Sequence, residues 1–484
     1  MNPVGRAGGQ FIGGRWERSA SIGRIYVENP ATGEILARVC TGDAADAEQA
    51  VSAVRSAFPG WSATPLETRV RIVRDACARL SNEVDDLAEL ISKEVGTPLP
   101  VSRAAQVVRP IEVLGSLCDA ASEVAWSERI DSTVVVREPL GVVVAITPWN
   151  FPLHQVVAKV GAALLAGCTV VLKPSELAPL SAYALADALH DAGLPAGALN
   201  VVTGLGSTVG EALTAHPDVD GISFTGSSAV GRQIGAVAAR SVKRVALELG
   251  GKGPSLVLPG ADTETAAAAT AARCFTNSGQ VCAALTRLIV PRDQVGPAEA
   301  ALAAFVEAQR IGDPFTEGVT VGPLISAAQK ERVLALLTRG IEDGARVVAG
   351  GPGGPVPGGG HYVAPTVLSD VDPAMTIARV EVFGPVLCVL AYDDVEEGIA
   401  IANDGEYGLV GAVWGPDAEA AEAAARMRMG MVGVNGGRLN VRAPFGGYKQ
   451  SGHGREFGRF GIEQFLELKS VNFPSADRIT WSTP

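Results

Sequence analysis

The sequence predicts an α/β protein: a parallel, doubly wound sheet followed by a second α/β unit. Two observations carry this. Apolar runs of strand length alternate with helix-length segments from about residue 141 to residue 249, and a second alternating set begins near Pro254 and runs past Trp414. A third sets the scale. The 484 residues make room for two to four domains or one large multilayer fold, and 47% apolar against 19% charged residues supply the core.

The elements follow in order. Gly141-Val-Val-Val-Ala-Ile-Thr147 is nearly all apolar, as in a strand covered on both faces. After it come a helix over Gln155 to Ala166, a strand over Thr169 to Lys173 and a helix over Pro179 to Ala192. Next are a strand at Leu199 to Thr203, a helix at Thr208 to His216 and a strand at Gly221 to Phe224. A helix over Ser227 to Ala239 and a strand over Arg244 to Leu249 close the first set. Two segments break the rhythm: the β-branched Ser132 to Arg137 and the short strand Leu468 to Phe473. Lone strands need partners, so these two are expected to pair with each other or with another subunit. Gly350 to Gly360, dense in Gly and Pro, reads as a surface loop. No repeat of 20–50 residues occurs.

A formal net charge of −12 repels phosphates, which argues against nucleic acid or anionic lipid as partners. Seven dispersed cysteines (40, 77, 118, 168, 274, 282 and 388) fit neither a disulfide framework nor a zinc site, so no metal is expected. Reduced thiols suit the cytoplasm. Met1 to Gly14 lacks the apolar run of a signal peptide, and Val160 to Leu172 is too short to span a bilayer. A soluble, cytoplasmic protein is the expectation.

Four segments could carry chemistry. In Ser278-Gly-Gln-Val-Cys282, Gly279 and Gln280 break the helix expected over Thr263 to Asn277, so Cys282 sits at a turn. Backbone N–H groups there would favour its thiolate relative to a free pKa of about 8.5. A single cysteine is nonetheless more often a small core residue. Glu248 ends an apolar strand just before Gly250 and Gly251, where a parallel sheet opens into its ligand crevice. A carboxylate there is either a general base or a solvated strand end. Asn150, held between Pro148 and Pro152 after another strand, offers an amide donor of the kind an oxyanion site needs, or simply forms a turn. Two glycine-bearing turns, Gly204 to Gly210 and Phe224 to Gly231, each open a helix and could hold a pyrophosphate. The first is off the G-x-G-x-x-G spacing by one residue. Lys173-Pro-Ser-Glu176, at a further strand end, could hold a ribose, with Glu176 repelling a 2′-phosphate.

Taken together in chain order, these pieces resemble the aldehyde dehydrogenase superfamily in its hydrolytic, NAD(P)-dependent branch. The pieces are Asn29 to Gly33, Pro148 to Pro152, Lys173 to Glu176, Phe224 to Ser227, Glu248 to Lys252 and Gly279 to Cys282. Glu381 to Pro385 and Pro444 to Gly452 extend the likeness. No one piece is specific; their conjunction is. The resemblance implies that Cys282 is the nucleophile, that Asn150 and the Cys282 N–H form the oxyanion hole, and that Glu248 activates the hydrolytic water. It places Trp149, Lys173 and Glu176 at an adenosine ribose, Ser227 at the pyrophosphate, and Glu381 with Phe383 at the nicotinamide ribose. Ile146, Gly226, Gly231 and Leu249 complete the implied cofactor contacts. Val380 and Ala229 depart from the acidic residues many relatives carry at those positions. NAD is the implied cofactor, because of Glu176, with NADP as the alternative because of Lys173.

The same resemblance gives Phe151, Gln155, Ala158, Val281, Leu439 and Phe445 to a substrate tunnel, mostly apolar and suited to aliphatic or aromatic aldehydes. Arg438 and Arg442 flank it; they either meet a carboxylate, as a semialdehyde substrate would require, or are surface arginines. It further implies three parts. These are a Rossmann-like NAD-binding domain (1–120 and 141–250), an α/β catalytic domain (251–455) and a small β oligomerisation arm (121–140 and 456–484) in a homodimer or homotetramer. A binding or structural protein on the same scaffold is the rival of another class, and the presence of Cys282 and Glu248 argues against it.

Overall fold

A computed structural model describes residues 3–481, so residues 1–2 and 482–484, the outermost ends of the expected first segment and arm, lie outside it. The first alternating set forms the middle of an eight-stranded sheet. Its five parallel strands run in the spatial order Leu199–Val201, Thr169–Lys173, Val142–Ile146, Gly221–Thr225 and Arg244–Glu248. The chain starts at the third of these, winds one way, then returns to wind the other way. The crevice of such a sheet opens at this reversal, beyond the carboxyl ends of Val142–Ile146 and Gly221–Thr225.

Both edges of this sheet differ from a purely parallel reading. Gln10–Ile12 adds antiparallel to Leu199–Val201, and Gly452–His453 adds antiparallel to Arg244–Glu248. Neither addition is periodic enough to be seen locally; each is a few residues recruited by a strand that would otherwise leave an open edge. The second set forms a seven-stranded sheet whose six parallel strands are flanked by one antiparallel edge strand, Arg346–Ala349. Residues 350–365, which include the expected Gly/Pro loop Gly350 to Gly360, connect that edge to Thr366–Ser369 without regular structure. The two out-of-rhythm segments pair with each other: Leu466–Asn472 runs antiparallel to Thr133–Pro139, which also pairs with Ser127–Ile130.

Helix boundaries moved where prolines and glycines act. The helix expected from Gln155 begins at Pro152, because a proline in the first turn gives up no hydrogen bond and its fixed φ suits the helix. The segment read as a helix from Thr208 is a π-helical turn, Gly206–Gly210, leading into a short helix, Glu211–Ala215. Pro152–Ala166 is buried at every residue except His154, as expected of a helix apolar on all sides. It packs against Arg109–Ala120 and Leu66–Ser81 on one side and the first sheet on the other. No helix among the described residues is long and apolar enough to cross a membrane.

One buried carboxyl serves this packing. Glu94, fully enclosed, accepts the Leu180 N–H at 3.0 Å and so caps the helix Leu180–Asp191, while its Oε2 has no partner. Burial outweighs the Leu180 and Ser181 N–H groups and pushes the carboxyl up to about 8. A raised carboxyl favours the fold fully below the unfolded value, and that advantage is lost as pH rises through about 8. The lost stability reaches about 5 kcal/mol at most. Glu94→Gln is therefore expected to raise Tm relative to wild type more at pH 9 than at pH 5. Thermal melts at the two pH values check this, and equal differences would refute it.

Candidate active site

The helix Thr263–Phe275 ends two residues earlier than expected, and the reason lies in the backbone. Asn277 (φ 51°), Ser278 (φ 56°) and Gly279 (φ 75°) are consecutive left-handed residues, a conformation that stores strain at the first two. Gly279 is obligatory here, since a Cβ would lie 2.1 Å from the Gly384 oxygen. Several bonds hold the turn. Ser278 Oγ donates to the Gly322 oxygen at 2.8 Å, and Gln280 Oε1 accepts the Ile325 N–H at 2.9 Å. Gln280 Nε2 reaches back to the Asn277 oxygen at 3.1 Å. The turn carries Cys282, half-buried, to the start of the strand Leu285–Pro291.

Cys282 meets Asn150 and Glu248 in one cleft of about 550 Å³. Trp149, Gly226, Ser227, Leu249, Glu381 and Phe383 line the same cleft, so nine residues named from sequence converge there. Ile146, Lys173, Glu176 and Gly231 do not line it. Ile146 and Lys173 are paired neighbours at the ends of adjacent strands, and Lys173 Nζ contacts Glu176 Oε2 at 3.2 Å. Gly231 lies beneath the cleft, where a Cβ would meet Leu249 Cδ2 at 2.5 Å. Of the two glycine-bearing turns, the cleft takes Thr225-Gly226-Ser227; the Gly204 turn does not reach it. Ser227 caps the helix Ser228–Ala239, leaving that helix's first N–H groups at the cleft, as a pyrophosphate needs.

Glu381 closes the cleft from the second sheet. Its Oε1 accepts the Gly251 N–H at 3.0 Å, and a Cβ on Gly250 would lie 2.2 Å from its Oε2. Burial pushes this carboxyl up to about 7, against the Gly251 N–H and the cations Lys252 and Arg332. Arg332 donates to the Glu381 carbonyl at 2.8 Å and Gln329 to that of Phe383 at 2.8 Å. Both come from the helix Ala327–Glu342 and line the cleft, as do Arg232, Glu406 and Tyr407. None of these five belongs to a motif read from the sequence; Arg232 lies one residue past the Phe224–Gly231 turn. Phe383 (φ 57°) sets its ring edge-on to Trp149 with centroids 5.4 Å apart, forming one wall.

Electrostatics correct the expectation for Cys282. Burial, together with the carboxyls of Glu381, Glu248 and Glu456, pushes the thiol up to about 12, and the Ala283 N–H opposes this only weakly. Burial first, and then the three acidic neighbours, favour the neutral thiol over the thiolate that the backbone donors were expected to stabilise. Glu248 is raised well above the usual carboxylate range by burial and by neighbouring Glu456, against Lys159 and Arg455. Neither of its oxygens is hydrogen-bonded among the described residues, and Gly446 is a glycine where a Cβ would stand 2.8 Å from Oε1. Beside it lies an ion pair absent from the sequence reading: Lys159 Nζ to Glu456 Oε1, 2.6 Å apart, both side chains enclosed. The strand end is pinned by Ser451, whose Oγ donates to the Gly250 oxygen at 2.7 Å and whose carbonyl accepts the Leu249 N–H at 3.0 Å.

The residues given to a tunnel lie behind Cys282, outside the cleft. Phe151, His154, Phe457 and Phe445 form a row of rings with successive centroids 6.4, 5.5 and 5.6 Å apart. His154, unnoticed in the sequence, is held neutral by burial, which lowers it to about 4. Gln155 is buried with Oε1 unpartnered, and Ala158 is enclosed. Val281 and Leu439 are half-buried. Arg442 is committed to an exposed ion pair with Glu123, while Arg438 is exposed.

The sequence pattern of the aldehyde dehydrogenase family matches residues 16–471. A 3-succinoylsemialdehyde-pyridine dehydrogenase from a Pseudomonas species is 43% identical over 469 residues, 95% of this chain and 97% of that one. A cysteine-to-alanine variant of aldehyde dehydrogenase C from Pseudomonas syringae, solved with NAD+ and octanal, superimposes with a TM-score of 0.96. It is 46% identical over 97% of this chain and 98% of that chain. A Mycobacterium tuberculosis aldehyde dehydrogenase in complex with NAD+ gives 0.94 at 41% identity, covering 97% and 98%. The chain belongs to the aldehyde dehydrogenase family.

Proposed function

We propose that the protein oxidises an aldehyde to the free carboxylic acid with NAD through a thioester on Cys282. The observation that carries this is the meeting of Asn150 and Glu248, from two separate strand ends, with Cys282, from the turn after a helix, in a cleft that also holds the Ser227 helix terminus and Glu381. The cleft fits a dinucleotide. A pyrophosphate would sit at Gly226-Ser227, a nicotinamide ribose at Glu381 and Phe383, and an adenosine ribose near Trp149, Lys173 and Glu176. NAD, when bound, would supply the hydride acceptor; two structural neighbours were solved in complex with NAD+.

The chain's own residues do the rest. Cys282 Sγ bonds to the aldehyde carbon as its proton passes to ionised Glu248. The Asn150 amide and the Cys282 N–H meet the oxyanion, a contribution of about 2.7–4 kcal/mol per donor. Once Glu248 has given up the thiol proton, it takes one from water; the hydroxide attacks the thioester, and the leaving Cys282 sulfur takes that proton back as the acid is released. Lys159 and Glu456 are the buried groups beside Glu248 able to exchange that proton. Phe151, Gln155, Ala158, Val281, Leu439 and Phe445 form the aldehyde side of the site.

A semialdehyde is the second reading, favoured by the 43% identical relative. Arg438, exposed on the 435–442 segment, is the cation left to meet a carboxylate, since Arg442 is paired with Glu123. We further infer a cytoplasmic homodimer or homotetramer. All seven cysteines are free, and the three-stranded arm presents an edge strand bearing exposed Leu468 with Ile130 across the sheet. NADH formation with acetaldehyde, hexanal, benzaldehyde and succinic semialdehyde tests the reading. Turnover of the apolar aldehydes is expected; turnover of succinic semialdehyde alone, lost in Arg438→Ala, would establish the second reading instead.

A further inference from the structure

A rare element lies beneath the Asn150 loop. Ser102–Val108 winds as a π-helix between the short helix Leu99–Val101 and the helix Arg109–Ala120. Such turns give up regular i→i−4 bonding and survive where they place a side chain that matters. The side chain placed here is Gln106, fully enclosed. Its Nε2 donates to the Asn150 carbonyl at 2.8 Å and to Thr97 Oγ1 at 3.2 Å. Thr97 Oγ1 in turn donates to Asn277 Oδ1 at 2.6 Å. Asn277 Nδ2 returns to the Asn150 carbonyl at 3.0 Å and reaches the Gln280 oxygen at 3.4 Å.

The network closes on one atom group. Both acceptor positions of the Asn150 carbonyl are filled by side-chain amides from remote segments. The Asn150 side chain itself donates to the Gln280 oxygen at 2.9 Å, which fixes the plane of its amide and hence the direction of its second N–H. Gln106 Oε1 has no partner among the described residues, an arrangement that costs about 1–3 kcal/mol. A purely packing role would be served better by an apolar side chain.

We propose that Gln106, with Thr97 and Asn277, is a positioning residue for the oxyanion step: it fixes the Asn150 backbone so that the free Nδ2–H is already aimed when the aldehyde arrives. The proposal rests on the reading of Asn150 as an oxyanion donor. Preorganised donors lose most of their value when displaced by about 1 Å, so a distant loss is felt as a fall in rate.

The test is a double-mutant cycle on the whole enzyme. Gln106→Leu is expected to lower kcat for aldehyde oxidation by roughly 10²-fold. Hydrolysis of p-nitrophenyl acetate, which needs the same oxyanion donor, falls in parallel. KM for NAD and the rate of Cys282 alkylation by iodoacetamide, which needs no oxyanion donor, stay at wild-type values. In the Asn150→Ala background, Gln106→Leu costs nothing further, because its effect travels through Asn150. Thr97→Val, close in shape and lacking the bridging hydroxyl, is expected to behave likewise and serves if Gln106→Leu folds poorly. Full additivity with Asn150→Ala, or an equal fall in alkylation, overturns the proposal while leaving Asn150 as the donor. Wild-type kcat in Asn150→Ala overturns both.

Discussion

Cys282→Ala is expected to abolish aldehyde oxidation, with kcat falling on the order of 10⁶-fold, the scale of losing a covalent nucleophile. The fold should not suffer. Cys282 is half-buried, and the turn that presents it is held by Ser278 and Gln280 rather than by the thiol. NAD affinity should survive as well, since the Gly226-Ser227 turn and Glu381 are untouched. The measurement is NADH production beside NAD binding followed by fluorescence quenching; retained oxidation in a variant that still binds NAD would overturn the mechanism. The pH dependence adds an independent reading. With the resting thiol pushed up to about 12 and Glu248 raised by burial and by Glu456, both groups are shifted toward their protonated forms. The sign is therefore fixed: log kcat/KM should climb with pH toward the alkaline side as Glu248 ionises and can accept the thiol proton. A profile already flat at pH 6 would mean the thiolate is preformed.

Glu248→Gln carries the second large effect. Glu248 takes the thiol proton and then brings water to the thioester, so the variant should be slowed in both steps, with steady-state turnover falling about 10²–10⁴-fold below wild type. Rapid-mixing absorbance separates the two. A slow first NADH release marks the lost thiol deprotonation, whereas a full burst of one NADH per site before the slow phase would confine Glu248 to hydrolysis. An unchanged steady state would remove it from the mechanism. Because Glu248 is enclosed and neither oxygen is hydrogen-bonded among the described residues, the isosteric amide removes the acid–base group without breaking a bond.

What the sequence disclosed and what it withheld divide along a physical line. Cys282, Glu248, Asn150 and Glu381 could be read because each sits in a short run of Gly, Pro or Asn at an element's end, where backbone needs restrict residue choice. The paired outer strands Thr133–Pro139 and Leu466–Asn472 were legible because both fall outside the helical rhythm, the first as a β-branched run. Gln106, Lys159, Arg332 and His154 lie within helices and carry no such mark. Their partners come from Asn150, Glu456, Glu381 and Phe457, which only the tertiary fold brings near. The direction of the thiol's shift was missed for a related cause, since it depends on burial, and then on three carboxyls from distant segments, rather than on the local turn. Left-handed Asn277 and Ser278 show the limit even within a motif: Gly279 announced a break, but not that the two residues before it would share the strain.

The clamp on the Glu248 strand end also dictates when the enzyme becomes an enzyme. The bond from Ser451 to Gly250 spans 201 residues, and Gly452 supplies the outer strand beside Glu248 itself. During synthesis the first sheet can assemble its parallel strands early, yet one flank of it stays bare until a segment 201 residues further along has been made. Loop closure over such a span is slow and is rewarded only after it. The general base is thus seated by residues made long after its own strand. A nascent or truncated chain would hold a cofactor cleft without a finished catalytic one, exposing an unpaired strand edge as its main hazard of aggregation.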